Sequence, residues 1–205
     1  MAVDAALPSF ILGYHGCDAA VAEKVFAGQQ PLTYSRNDYD WLGDGIYFWE
    51  HNAQRAYDFA RAMAEKPHPS GQKIKHAAVV GAIIDLGYCL NLLDSRYIEM
   101  VRQAHESLVQ AAKASGMTLP ENTGGPDLVD RKLDCAVIRV LHDQRKEAGE
   151  PPFNTVRAAL FEGGALYENA GFAAKNHIQV CVRDHRRVIG YFRPLNEKGN
   201  PASFR

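Results

Sequence analysis

Three short stretches hold residue types that can do chemistry. In Gly13-Tyr14-His15-Gly16-Cys17 an imidazole is followed by a glycine at the end of an apolar run. In Leu42-Gly43-Asp44-Gly45-Ile46-Tyr47-Phe48-Trp49-Glu50 two glycines flank an acid and lead into β-branched and aromatic residues. The glycine triplet is turn chemistry, and the run from Ile46 to Trp49 is strand chemistry. Tyr47 is thus expected in a strand between a glycine turn and a helix start, where a ligand can come close to the backbone. The third stretch is His177-Ile178-Gln179-Val180-Cys181-Val182, where the two polar side chains are two apart and so share a strand face. The Gln179 amide both donates and accepts hydrogen bonds but is no base. Each stretch also has a plain reading: His15-Gly16 as a strand end with a satisfied histidine, Tyr47 as a core aromatic, Gln179 as an exposed strand residue.

Other chemistries find little footing. The eight histidines lack metal-ligand spacing with each other or with cysteine. There is no phosphate-cradling Gly-x-x-x-x-Gly-Lys-Ser/Thr loop and no Gly-x-Ser-x-Gly elbow. Cys17 after Gly16 invites a nucleophile reading, but with no base beside it a buried thiol is the better expectation. Arg183, His185, Arg186 and Arg187 read as a solvated turn, with contact to a pyrophosphate or a nucleic acid as the alternative.

The elements that must position these residues can be read from pattern. Residues 1–9 read as a loose lead-in and Phe10 to Cys17 as a first strand. Asp18 caps a helix to about Phe26, stopped by Gly28. Pro31 to Tyr34 reads as extended and Ser35 to Leu42 as an exposed polar loop. Asn52 caps a helix to about Glu65, on which Ala53, Ala56, Tyr57 and Ala60 recur at helical spacing. Residues 66–72 form a connector, and Ala77 to Leu86 is an apolar run of strand length, expected to be buried on both faces. Ser95 to Ser115 and Lys132 to Glu147 are amphipathic helices, with a mobile loop at Thr118 to Val129 between them. Thr155 to Phe161, His177 to Val182 and Val188 to Leu195 read as strands. The segment 163–174 is irregular, and the tail from Asn196 is polar and frayed. Strands at both ends with helices between argue for α+β.

Together the first two stretches resemble the His-Gly and Gly-x-Gly-Ile-Tyr-Phe signatures of the PARP-like ADP-ribosyltransferases. The resemblance covers the first sixty residues and the last thirty. It implies an α+β fold, a split antiparallel β-sheet core, with residues of about 88–150 as a helical insertion in a single domain spanning 1–205. It implies NAD as substrate, with no metal: His15 on the adenosine ribose, the Gly16 backbone on the nicotinamide amide, and Tyr47 against the nicotinamide ribose. Gln179 falls where the family's best-known members carry glutamate, which puts polymer elongation in doubt and favours single transfer or NAD cleavage. Catalytic roles thus fall to His15, Tyr47 and Gln179. Tyr57 stands one position before the family's stacking tyrosine, and core packing is the other role open to it. Arg55 replaces a small hydroxyl residue. Tyr39 and Trp41 lie where relatives carry the loop over NAD, and the segment 163–172, with Glu162, Tyr167 and Glu168 as candidate contacts, lies where they recognise the acceptor. The activity implied is mono-ADP-ribosyl transfer to a protein or nucleic acid. NAD hydrolysis and non-catalytic binding of NAD or ADP-ribose are the alternatives. Small stand-alone relatives are often bacterial toxins, sometimes with a neutralising antitoxin partner.

The whole chain sets outer bounds. Its 205 residues suffice for a full core, and 46% hydrophobic against 23% charged is the balance of a globular protein. The net charge of -1 provides no field that would draw it to nucleic acid or membrane. No apolar run reaches the ~18 residues of a membrane span, and no basic N-terminal stretch suggests a secretory signal. Cys17, Cys89, Cys135 and Cys181 are scattered, as expected for reduced thiols in a cytoplasmic protein.

Overall fold

The structure is a computed structural model and describes residues 10–66, 73–195, 200–202 and 204. The expected lead-in at 1–9, the connector through 67–72 and residues 196–199 of the tail lie outside the described residues. In chain order the elements are β1 (Phe10–Asp18), α1 (Ala19–Phe26), β2 (Ile46–Glu50), α2 (Ala53–Glu65), β3 (Ala77–Asp85), β4 (Cys89–Asn91), α3 (Ser95–Ser115), β5 (Asn122–Thr123), β6 (Asp130–Arg131), α4 (Lys132–Glu147), β7 (Thr155–Leu160), β8 (His177–Val182) and β9 (Val188–Phe192). The fold is α+β. Its main sheet has seven strands, mostly antiparallel, in the order β4-β7-β8-β2-β1-β3-β9, and β5 with β6 forms a separate ribbon. The chain divides into two compact units, with the boundary falling inside β2: residues to 32, 48–87 and from 184 form the first, and 33–47 with 88–183 the second.

In the first unit β1 pairs with β3 along its whole length, from Phe10↔Asp85 to Asp18↔Ala77, and β3 pairs in turn with β9. Both helices start at side chains suited to the task. The Asp18 carboxylate accepts from Ala20 N at 2.9 Å, and its other oxygen accepts from Lys75 N and His76 N. The Asn52 amide oxygen accepts from Arg55 N at 2.9 Å. Trp49, Ala56 and Val79 are buried together, with Tyr14, Ala53, Tyr57 and Phe204 packed against them. β3 is less enclosed than its apolar run suggests: Val79 to Ala82 and Ile84 are buried, but Ile83 is exposed.

In the second unit the segment 88–150 is more than the helical insertion expected. β4 pairs in parallel with β7, from Cys89↔Thr155 to Asn91↔Arg157. Leu90, Ala104, Val137, Ile138 and Leu141 share one core with Phe153, Val156, Ala158 and Cys181. Its helices are therefore integral to the unit. The stretch 118–129, expected to be a mobile loop, contains β5. From there the Asn122 oxygen accepts from Leu133 N at 2.9 Å and from Asp134 N at 3.2 Å, capping α4, whose own cap residue Arg131 makes no side-chain capping bond. The strand expected over 188–195 ends at Phe192, and 31–34 forms no strand.

Candidate functional site

His15 and Gly16 lie near the end of β1, where its pairing is one-sided. Leu12 O accepts from His51 N at 2.9 Å, and the ladder with β2 runs only through Gly13↔Glu50 and Tyr14↔Trp49. Alternate residues of a strand turn their main-chain groups to the same edge. Leu12, Tyr14 and Gly16 therefore face the β2 edge, and the β2 ladder has stopped before Gly16. Its N–H and C=O thus stand side by side on an edge with no ladder partner within its own unit. On its Cα side Gly16 is closed in: a Cβ would overlap the carbonyl oxygen of Ala56 on α2. So packing by itself calls for glycine here. The His15 ring stands 5.9 Å from that of Phe48, edge-on at 61°. Tyr57 is packed, its ring stacked on Phe204 at 5.2 Å, and the Arg55 guanidinium lies 5.8 Å over the Trp49 ring.

Tyr39, Trp41, Tyr47 and Gln179 belong to the second unit, and there the structure builds one connected arrangement. The Trp41 indole N–H donates to Gln179 Oε1 at 2.7 Å. The Tyr47 hydroxyl accepts from Leu42 N at 3.0 Å and donates to Gly43 O at 2.8 Å. Gly43 takes φ +78°, a left-handed conformation that lets this turn fold back over the tyrosine. Burial, with lesser effects from Cys181 and Asp40, raises the Tyr47 phenol well above its ordinary range, so it stays a neutral donor. Gln179 is buried, at 8% exposure, opposite Ala158 on β7. Tyr39 is half-buried in the turn before Trp41.

Residues 35–42 are not the exposed polar loop expected. Leu42 is fully buried, Asn37, Asp40 and Trp41 are half-buried, and only Arg36 and Asp38 are exposed. The cause is α4, which fastens the loop from below. Arg139 bonds Asp44 through both Nε (3.0 Å) and Nη2 (2.7 Å), and Nη2 also donates to the Asn37 carbonyl at 3.0 Å. Lys132 pairs with Asp38 at 3.0 Å. Asp40 accepts from Asn37 N at 2.8 Å, and its burial pushes the carboxyl above the usual range. The Arg131 guanidinium lies 5.2 Å over the Trp41 ring.

No family model, curated protein or solved structure matches the chain. The functional reading therefore rests on the site's own geometry. Arg131 and Arg139 are the site residues that sequence reasoning missed. Arg139 stands four residues after buried Cys135, hence on its face of α4, and that spacing was a usable signal. Three of the thiols are not poised as nucleophiles: burial raises Cys17 to about 12 and Cys135 to about 11, and raises Cys181 as well. Among the described residues no group of three or more acidic, His or Cys side chains is placed to hold a metal, and no helix is long and apolar enough to cross a membrane.

Proposed function

We propose that the chain is an NAD-dependent mono-ADP-ribosyltransferase. The observation that carries the reading is the Gly16 main chain. A primary carboxamide offers an N–H donor beside a C=O acceptor, and one strand residue whose N–H and C=O have no ladder partner within their own unit is its complement. Nicotinamide is such a carboxamide. The resemblance assigns the adenosine ribose to His15, a hydroxyl of the other ribose to Gln179, and the loop over NAD to Tyr39 and Trp41. The resemblance puts Tyr47 against the nicotinamide ribose, and its hydroxyl also bonds Leu42 N and Gly43 O of that loop.

In the reaction the bond between nicotinamide nitrogen and ribose carbon breaks, and its electron pair goes to the ring nitrogen, so neutral nicotinamide leaves. The ribose carbon becomes oxocarbenium-like and takes a lone pair from the acceptor, whose proton passes to solvent. Positioning and electrostatics supply most of the acceleration. Phe161, Leu166, Tyr167 and Phe172 are each more than half exposed in the segment after β7, flanked by Glu162 and Glu168. An apolar, acidic tip favours a protein acceptor over nucleic acid.

The test is incubation with NAD labelled in its adenylate half, with nicotinamide or nicotinate as competitor. Label on protein is expected, with nicotinamide inhibiting and nicotinate, which has no N–H, failing to inhibit. Free ADP-ribose as the sole product would identify a glycohydrolase. NAD that is neither bound nor altered, or equal inhibition by nicotinate, would reject the reading.

A further inference from the structure

Resting on that reading, we propose that Trp41 is a positioning residue: it fixes the Gln179 amide with its amino group toward the ligand, and so holds NAD cleavage low. An indole N–H is a donor only. Facing Gln179 at 2.7 Å, it therefore accepts no orientation of the amide except the one with oxygen toward itself. Trp41 is held on two sides. Arg131 lies over its ring, fastened by a 2.9 Å bond from Nη2 to the Asp127 carbonyl. The next residue, Leu42, has its N–H tied to the Tyr47 hydroxyl. The Gln179 oxygen is thus engaged, while its Nε2 makes no hydrogen bond among the described residues and is not fully enclosed.

The polarity of that free end decides what it does to a bound ribose. A group that accepts from a ribose hydroxyl leaves electron density on the sugar, where the oxocarbenium-like state needs it. An N–H donated to the same oxygen draws density away and favours the ground state over the transition state. Gln179 in its fixed orientation binds a ribose hydroxyl as a donor and disfavours breakage of the glycosidic bond. Removing Trp41 lets the amide turn over and accept. A carboxylate at position 179 accepts on both sides, so it satisfies Trp41 and the ribose together.

The experiment uses the full chain as wild type, Trp41→Phe, Gln179→Glu, the double variant and Gln179→Met. Nicotinamide release gives kcat, calorimetric titration gives NAD affinity, and the indole N–H resonance lost in Trp41→Phe reports the bond itself. In Gln179→Met that resonance is expected to move and to exchange faster with solvent. Trp41→Phe and Gln179→Glu are each expected to raise kcat about tenfold, the worth of one neutral hydrogen bond made in the transition state. NAD affinity should change less, and the double variant should be no faster than Gln179→Glu alone. An indole resonance indifferent to Gln179→Met would overturn the proposal. So would a Trp41→Phe protein that binds NAD but cleaves it no faster than wild type. A resonance that moves in Gln179→Met while no variant binds or cleaves NAD supports the fixed amide and rejects the transferase reading instead.

Discussion

His142 gives the sharpest test of how the second unit is held together. It lies on α4, is 9% exposed, and meets the Phe153 ring edge-on at 6.0 Å. Its Nε2 is buried with no hydrogen-bond partner among the described residues. Burial first, then the Arg183 and Arg145 guanidinium groups, bring its pKa from 6.5 down to about 3. The folded protein thus keeps this imidazole neutral where the unfolded chain would protonate it. The depressed value sets the sign: its neutral form costs nothing above pH 6.5, and stability is lost as pH falls from 6.5 toward 3. Between pH 7 and pH 5 the expected loss is about 2 kcal/mol, close to 1.4 kcal/mol for each unit below 6.5. The assay is urea unfolding across that range for wild type and His142→Leu, which keeps the apolar contact and removes the titration. Carboxylates shared by both proteins cancel in the comparison. The wild type should lose about 2 kcal/mol more than the variant. Parallel stability curves would mean that the imidazole is solvated or paired, and that the core between α4 and β7 is not closed over it.

Three further outcomes rest on named contacts. Gly16→Ala places a methyl group against the Ala56 carbonyl of a helix backbone, which has no side-chain freedom to yield, so a loss of about 3 kcal/mol is expected in urea unfolding. Gly164→Ala, with no neighbour within 4 Å, should stay within about 0.5 kcal/mol and serves as its control. Asn122→Ala removes the acceptor of Leu133 N and Asp134 N and should cost about 1 kcal/mol, with faster amide exchange confined to the first turn of α4. Arg139→Gln releases the half-buried Asp44 and the carbonyl of Asn37. Hydrogen exchange over residues 35–45 should quicken about tenfold or more while the strands of the first unit keep their protection.

The elements were legible where the chain signals locally. Asp18 and Asn52 announce their helices with side-chain caps two and three residues from the amides they bind, and Gly116 ends α3 in the left-handed conformation at φ +69°. β4 was hidden because three residues, Cys89 to Asn91, carry no period, and their parallel partner lies far along the chain at Thr155 to Arg157. The ribbon of β5 and β6 was hidden because strands of two residues carry no period either. The loop at 35–42 misled through composition: its Asp and Asn side chains suggested solvent, but Asp40 bonds the loop itself, and Arg139 supplies cations and donors from a helix a hundred residues on. Polar residues say that partners are needed, not whether water supplies them.

The same distinction governs the motif residues. His-Gly and Gly-x-Gly-Ile-Tyr-Phe were read for what they offer a ligand, yet much of what they offer is taken up inside the protein. Gly16 answers to Ala56, and the Tyr47 hydroxyl bonds Leu42 N and Gly43 O of its own turn. Less conspicuous in sequence are the two features on which the proposed transferase rests: the main chain of Gly16, and the Gln179 amide oxygen, which accepts from an indole 138 residues earlier. Side-chain replacement cannot remove a main-chain edge, so alanine scanning of the motif will report mostly on stability. Function has to be probed with ligand analogues that differ in donors and acceptors, and at Gln179 with substitutions that alter which of the two it presents.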